Sequence, residues 1–530
     1  MKKLIRLSAL MLLALPVAFN SCKKDEVIPP APQITSSQST INTVPEATSK
    51  VTLTISAPGN LATVTAVADQ GTVTVGTITG VGTTTGSVEL TYVAPLAIGT
   101  YKITATATDD RKQTVNLDLT VAVTAKPPVT VPAGNVEGTW EKGTTYTVTG
   151  NITIAVGKTL TIQEGVTVIF DGDGTATAPQ LTVAGNLYSL GTKDRPNKFT
   201  IPEAKRTKAN IFAGLWGGIQ CTVDAAEVAL IYTSIEFGGA PVGAGNPLLP
   251  TATVSYPYSS TDPRYGFLFT NPNGKLVIQN SRIAYTKDDG MRVTGGTILL
   301  SNNTFELNGQ TGGEAINIKS SVVGDIAYNL AYRSATNGFK TSNKSGTAAN
   351  PQSDVNIYNN TSIECGWRQT KTGRGGSLNL EENVRGQVYN NLMVNCKFGV
   401  RIVTTADVTN IKQGFNGFYA TEQIMVDQFY VPGNAVNKGD KETTSDVVGA
   451  KGENDPKFVN YTVSSFVSAS NTDPAVQDFM GTKDFRLATG SSFLAKGKTG
   501  FTPKNTSLTL GGKTYTVPAP ANYIGAFGSN

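Results

Sequence analysis

Apolar and polar residues alternate with a period of two over residues 38–125, where no stretch keeps a helical period. VTLTIS at Val51, ATVTAV at Ala62, GTVTVGTI at Gly71, GSVELTYV at Gly86, GTYKITATATDD at Gly99 and TVNLDLTVAV at Thr114 predict six or seven short strands. That density of Thr- and Val-rich strands predicts a small β-sandwich over residues 38–125. KPPVTVP, within 126–134, interrupts the pattern with prolines and reads as a linker. From 135 to 530 the strands shorten to four to six residues punctuated by glycine, as in NITIAVGKTLTIQEGVTVIFDG and LTVAGNLYSLGTKDRPNKFTI.

A marker recurs in this second region. LVIQN, ILLSN, DIAYN, NIYNN and QVYNN end at Asn280, Asn302, Asn329, Asn360 and Asn391, which are 22, 27, 31 and 31 residues apart. Three positions before each stands an aliphatic residue (Val277, Leu299, Ile326, Ile357, Val388), and three positions after each another apolar one (Ile283, Phe305, Tyr332, Ile363, Val394). Such columns predict stacked coils, because equivalent strands of successive coils lie about 4.8 Å apart and bury one another. Asparagine fits the turn, since it enters the left-handed region more readily than most residues. The crossover preference of parallel strands makes the expected hand right-handed.

Each marker is followed by a second strand: Gly290-Met-Arg-Val, Ala315-Ile-Asn-Ile, Gly338-Phe-Lys-Thr, Ser377-Leu-Asn-Leu and Gly399-Val-Arg-Ile. Its apolar residues point inward, so the residue between them points outward. The outward column reads Arg292, Asn317, Lys340, Asn379, Arg401. A row of cations on a flat sheet matches carboxylates or sulfates repeated along a polymer, although outward strand positions are ordinarily polar without any ligand. Glu314, Lys319, Lys371, Arg374, Glu381 and Glu382 are placed to frame this row. The acid pair Asp288-Asp289 falls in the turn before the first of these strands, opposite Thr311-Gly312, Thr336-Asn337 and Lys397-Phe398 of other coils. It reads either as a turn, for which Asp before Gly is ordinary, or as a contribution to a calcium site. FDGDG at Phe170 is open to the same two readings, and Trp140, Trp216 and Trp367 serve either sugar stacking or core packing.

Cys365 and Cys396 each follow a marker by five residues and are expected to stack in adjacent coils. They form either a disulfide or two buried thiols. Cys221 is expected in the core.

The strands that open the second region resemble the first coils of right-handed parallel β-helix proteins of the pectate-lyase-like superfamily. GLWGGIQ at Gly214 and DFRLATGSSFLAKG at Asp484, followed by NYIGAFG, resemble middle and closing pieces of surface proteins of that kind. The end of the first region, GTYKITATATDDRKQTVNLDLTVAV, is similar to the last hairpin of bacterial immunoglobulin-like modules, which usually act as spacers. The resemblance implies an all-β chain, with a right-handed parallel β-helix over 135–530 preceded by a small immunoglobulin-like sandwich. In the β-helix lyases a lysine or arginine removes the proton beside a uronate carboxylate while calcium neutralises that carboxylate. The matching positions are Lys340 or Arg292 as base and Asp288 with Asp289 at the ion. GEAINIKS at Gly313 resembles an acid-then-lysine strand of one lyase family, without that family's second acid and downstream Arg-His.

The chain starts MKKLIRLSALMLLALPVAFNSC: a basic start, a short apolar run and then Cys22, which reads as an export signal over 1–21. Cys22 resembles the lipidated cysteine of bacterial lipoproteins, and KKDE after it resembles the sorting signal of lipoproteins displayed on the outer face of the outer membrane. Proline-rich residues within 22–37 read as a tether. Formal charge is +5, and Lys2, Lys3 and Arg6 would leave with the signal, so charge supplies no ground for a nucleic-acid partner. The chain has no histidine, which excludes imidazole bases, Ser-His-Asp and Cys-His nucleophiles and histidine-ligated zinc. The expectation is a monomeric lipid-anchored surface protein whose β-helix binds an extracellular, acidic polysaccharide. Its alternatives are a calcium-assisted polysaccharide lyase and a structural adhesin.

Overall fold

The computed structural model describes residues 27–344, 351–435 and 442–529. The expected signal segment 1–21, the lipidation site Cys22 and the motif at 23–26 lie outside the described residues. Two compact units divide the chain at 126/127.

The first unit is a β-sandwich of two four-stranded sheets. Alternation along its strands sends Leu53, Ile55, Leu90, Tyr92, Ile103 and Val121 into one fully buried core and leaves threonines outside. Gln33–Ser36, inside the expected tether, already pairs with Thr48–Ser56. In the same way Val129–Val131, inside the expected linker, pairs in parallel with Thr145–Val148 as the first strand of the second unit.

The second unit is a parallel β-helix. Each coil gives one strand to each of three sheets of 10, 10 and 11 strands. The site-bearing sheet runs from Gly134–Asn135 to Val400–Ile402, the second from Gly138–Trp140 to Ile411–Gly414, and the third from Val129–Val131 to Gly417–Tyr419. Aliphatic and aromatic residues of all three fill a continuous interior.

The asparagine marker combines two neighbouring columns. Asn280, Asn302, Asn359 and Asn390, with Tyr328 and Phe415, take positive φ between 50 and 60°. The residues one position later form a buried ladder: Asn303, Asn329, Asn360 and Asn391 each donate through Nδ2 to Oδ1 of the next, ending on Asn416 at 3.0 to 3.1 Å. Asn-Asn pairs at 302–303, 359–360 and 390–391 make the two columns easy to interchange. Because the side-chain period of a strand is two, a one-residue slip changes the face. Val277 and Leu299 therefore point outward, and it is Ile278 and Leu300 that align with Ile326, Ile357 and Val388. Tyr332, Ile363 and Val394 likewise point outward, whereas Ile283 and Phe305 align with Ala331 inside.

These outward apolar residues are covered by the C-terminal segment. Its hairpin, Ser507–Leu510 and Lys513–Thr516, packs Leu508, Leu510 and Tyr515 on Val277 and Leu299 of the second sheet. Phe458, Phe485, Phe493 and Ile524 pack on Tyr332, Ile363 and Val394 of the third. On the site-bearing sheet an insertion after Phe237 brings Tyr256, Tyr258 and Tyr265 over Leu268. The next outward residue in register is Arg292.

Candidate functional site

The outward column forms in register. Arg292 pairs with Asn317, Asn317 with Lys340, Lys340 with Asn379 and Asn379 with Arg401. The strands that carry these residues are held by inward neighbours such as Met291, Ile316, Phe339 and Leu378, all buried.

The turns stack differently from the expected alignment. With Met291 opposite Ile316, Asp288-Asp289 lies over Gly313-Glu314 and not over Thr311-Gly312. Counting one residue back from the strand would have found this, because Asp289 and Glu314 precede the aligned pairs Gly290-Met291 and Ala315-Ile316 by one.

The stacking draws carboxylates into the basic column. Arg292 donates from Nε to Asp289 at 3.0 Å, forms an ion pair through Nη2 at 2.8 Å, and lies over the Tyr265 ring at 4.2 Å. The Asp289 carboxylate also accepts from Asn317 Nδ2 at 2.8 Å and from the Glu314 amide at 2.9 Å. Lys340 lies 2.5 Å from Glu381 and 3.9 Å from Glu314. Asn379 donates to Glu381 at 3.3 Å and accepts from Arg401 at 3.4 Å.

Protonation follows from these contacts. Burial opposes charge on Asp289, yet Arg292 and the donors around it hold its pKa below the ordinary value. Glu314 is pushed up to about 8 by burial and by the Asp289 charge. Asp288 is pushed up to about 7 by burial and by Asp289. Lys340 is buried, but Glu314 and Glu381 raise its pKa, and Lys340 lowers that of Glu381. Lys319 moves the other way, down to about 8, through burial and the nearby charges of Lys340 and Arg292.

Three expectations change. The row is not a set of unpaired cations, because the buried Asp289 already pairs with Arg292 and the half-buried Glu381 with Lys340. Neither of these suits proton abstraction, since their carboxylate partners favour the charged form that a base must give up. Asp289 is not free to ligate calcium, because both its oxygens accept from nitrogen donors. Among the described residues no three acidic or cysteine side chains are placed so that they could hold a metal ion together.

The remaining candidates resolve into packing. Asp171 pairs with Lys205, and Asp173 accepts from Thr175 within its own turn. Trp140 stacks on Tyr146 and Trp216 on Phe170. Trp367 packs near Phe466 and donates to the Asn395 carbonyl. Cys365 and Cys396 are buried free thiols directed at the carbonyls of Ala331 and Ser362, which is the second of the two arrangements their spacing allowed. Cys221 is buried and free as well.

Openings flank the column. On one side a narrow cleft is lined by Glu314, Asn337, Lys340, Arg374, Asn379 and Arg401. On the other, beyond Arg292, a cavity of about 640 Å³ lies between the strand ends and the 253–257 segment of the insertion. The alternation pattern gave no sign of this insertion as a wall of the site.

Residues 260–414 match the family model for a right handed beta helix region. The matched stretch contains the whole outward column, and the second unit is a right-handed parallel β-helix. No curated protein and no solved structure matches the chain.

Proposed function

We propose that the site-bearing sheet binds an extended extracellular glycan across its strands. The observation that carries this reading is the in-register outward column from Arg292 to Arg401, on a different sheet from the two whose outward apolar residues the described C-terminal residues cover. Successive coils repeat there at about 4.8 Å; Asn317, Lys340 and Asn379 are buried and form a packed polar floor, while Arg292 and Arg401 at the two ends stay partly exposed, so a linear sugar chain meets the two arginines. Ion pairing of Arg292 with Asp289 and of Lys340 with Glu381 reduces the positive field, which shifts the expected ligand from a densely acidic polymer toward one of sparse charge. Support for a surface location comes from the signal-like start, Cys22 and the acidic-basic motif after it. On this reading the lipid tethers the protein to the outer face of the outer membrane, and the β-sandwich acts as a spacer.

Affinity electrophoresis of the full chain in gels containing neutral, sulfated or uronate polysaccharides tests the proposal. Retardation by at least one polymer is expected, and it weakens in the Asn379→Ala/Arg401→Ala double variant. The same mixtures, followed at 235 nm with calcium present, would reveal the unsaturated product of a lyase. Retardation that persists unchanged in the double variant, or is absent with every polymer, overturns the reading.

A further inference from the structure

Beyond Arg292 the cavity brings in two lysines that the column does not contain. Lys319, from the end of the Ile316–Ile318 strand, lines it together with Arg292, and Lys344 stands at its rim. Among the described residues neither Lys319 nor Lys344 forms a salt bridge, and Arg292 shares its single charge with Asp289. Burial, and after it the like charges of Lys340 and Arg292, weakens the hold of Lys319 on its proton, with Glu314 and Glu381 opposing. An anion bound there would relieve that repulsion.

The rest of the lining is neutral and mixed. Tyr256 and Pro272 give flat apolar walls, and Asn271 gives amide groups. A volume of about 640 Å³ falls within the usual range of small-molecule pockets. Apolar walls, an amide and a pair of cations at one end suit a sugar ring that bears one negatively charged group.

We propose that this cavity is a subsite for one anionic sugar, its carboxylate or sulfate ester seated against Lys319 and Arg292. The proposal rests on the glycan reading above and sharpens it: the ligand carries localised charge, placed at one end of the groove, in place of a charge on every residue. Carboxylate and sulfate share the chemistry that these cations recognise, with Lys319 acting as a point charge and Arg292 offering the N–H groups that Asp289 does not take.

Calorimetric titration of the full chain with glucuronate, galactose 6-sulfate and galactose tests it. At least one of the two acidic sugars should bind, and which one does distinguishes carboxylate from sulfate. Galactose should bind at least about ten-fold more weakly. Lys319→Met should weaken the acidic sugar by a similar factor, and Lys319→Arg, which keeps the charge, should restore most of the affinity. Equal binding of galactose, unchanged affinity in Lys319→Met, or no binding of either acidic sugar overturns the proposal. A polysaccharide that still retards Lys319→Met as it does the native chain leaves the groove reading standing and removes only the subsite.

Discussion

The Arg292 guanidinium lies 2.8 Å from the carboxylate of Asp289, whose side chain is 1% exposed. A pair with one partner buried this far is asymmetric in its response to mutation, because removing Asp289 leaves the Arg292 charge only partly solvated and takes the acceptor from Asn317 and from the Glu314 amide. Asp289→Ala should therefore cost about 3–5 kcal/mol of stability, while Asp289→Asn, which keeps an acceptor for the Glu314 amide, should cost less. Chemical denaturation of the second unit, with the sandwich transition as internal control, measures both. Equal losses would mean that the charge pair is not what holds this turn.

The neighbouring residues Asn302 and Asn303 should respond in opposite ways. Asn302 is exposed at φ 57°, a conformation that glycine adopts without strain, so Asn302→Gly should change stability by less than about 0.5 kcal/mol. Asn303 is buried, donates to Ile278 O at 2.8 Å and accepts from the Ser281 amide at 2.9 Å. Asn303→Ala leaves these groups without partners, at about 1–3 kcal/mol each. Comparing the two denaturation midpoints checks the assignment of the ladder.

The pH dependence of stability should carry a signature of Glu314. Its folded pKa is raised to about 8, so its contribution is complete below the ordinary carboxylate range and is lost as pH rises toward 8. Asp288, raised to about 7, acts in the same direction, whereas Asp289, lowered by Arg292, loses its contribution as pH falls below the ordinary carboxylate range. Glu314→Gln, which mimics the protonated acid, should melt close to the native protein at pH 5 and above it at pH 8.5. Melting curves at the two pH values decide this, and a variant less stable by the same amount at both would contradict the assignment.

Cys221, Cys365 and Cys396 are buried free thiols. They should resist a water-soluble thiol reagent in the folded protein and react once it is denatured without reductant. Intact mass after alkylation under denaturing conditions gives an independent count, and loss of two alkylation sites would indicate a Cys365–Cys396 bond.

Much of the site was legible in the sequence, because the strand Gly290-Met-Arg-Val and its counterparts place one polar residue between two apolar ones. That local alternation is enough to fix the face of Arg292, Asn317, Lys340, Asn379 and Arg401. The asparagine marker was less reliable, since two adjacent columns both favour asparagine for different reasons: one for its backbone conformation, the other for the amide that bonds along the stack. Choosing between them changed the faces assigned to Val277, Leu299 and Tyr332.

By itself the sequence determined a parallel coil built on short alternating strands and the outward column that crosses it, because both depend on a period set by the backbone. Tertiary structure alone decided that Asp289 and Glu381 neutralise Arg292 and Lys340, that the insertion after Phe237 walls a cavity at Lys319, and that residues near the C-terminus cover the other two sheets. Those outcomes depend on side chains tens to hundreds of residues apart, and no local period records which of them will meet.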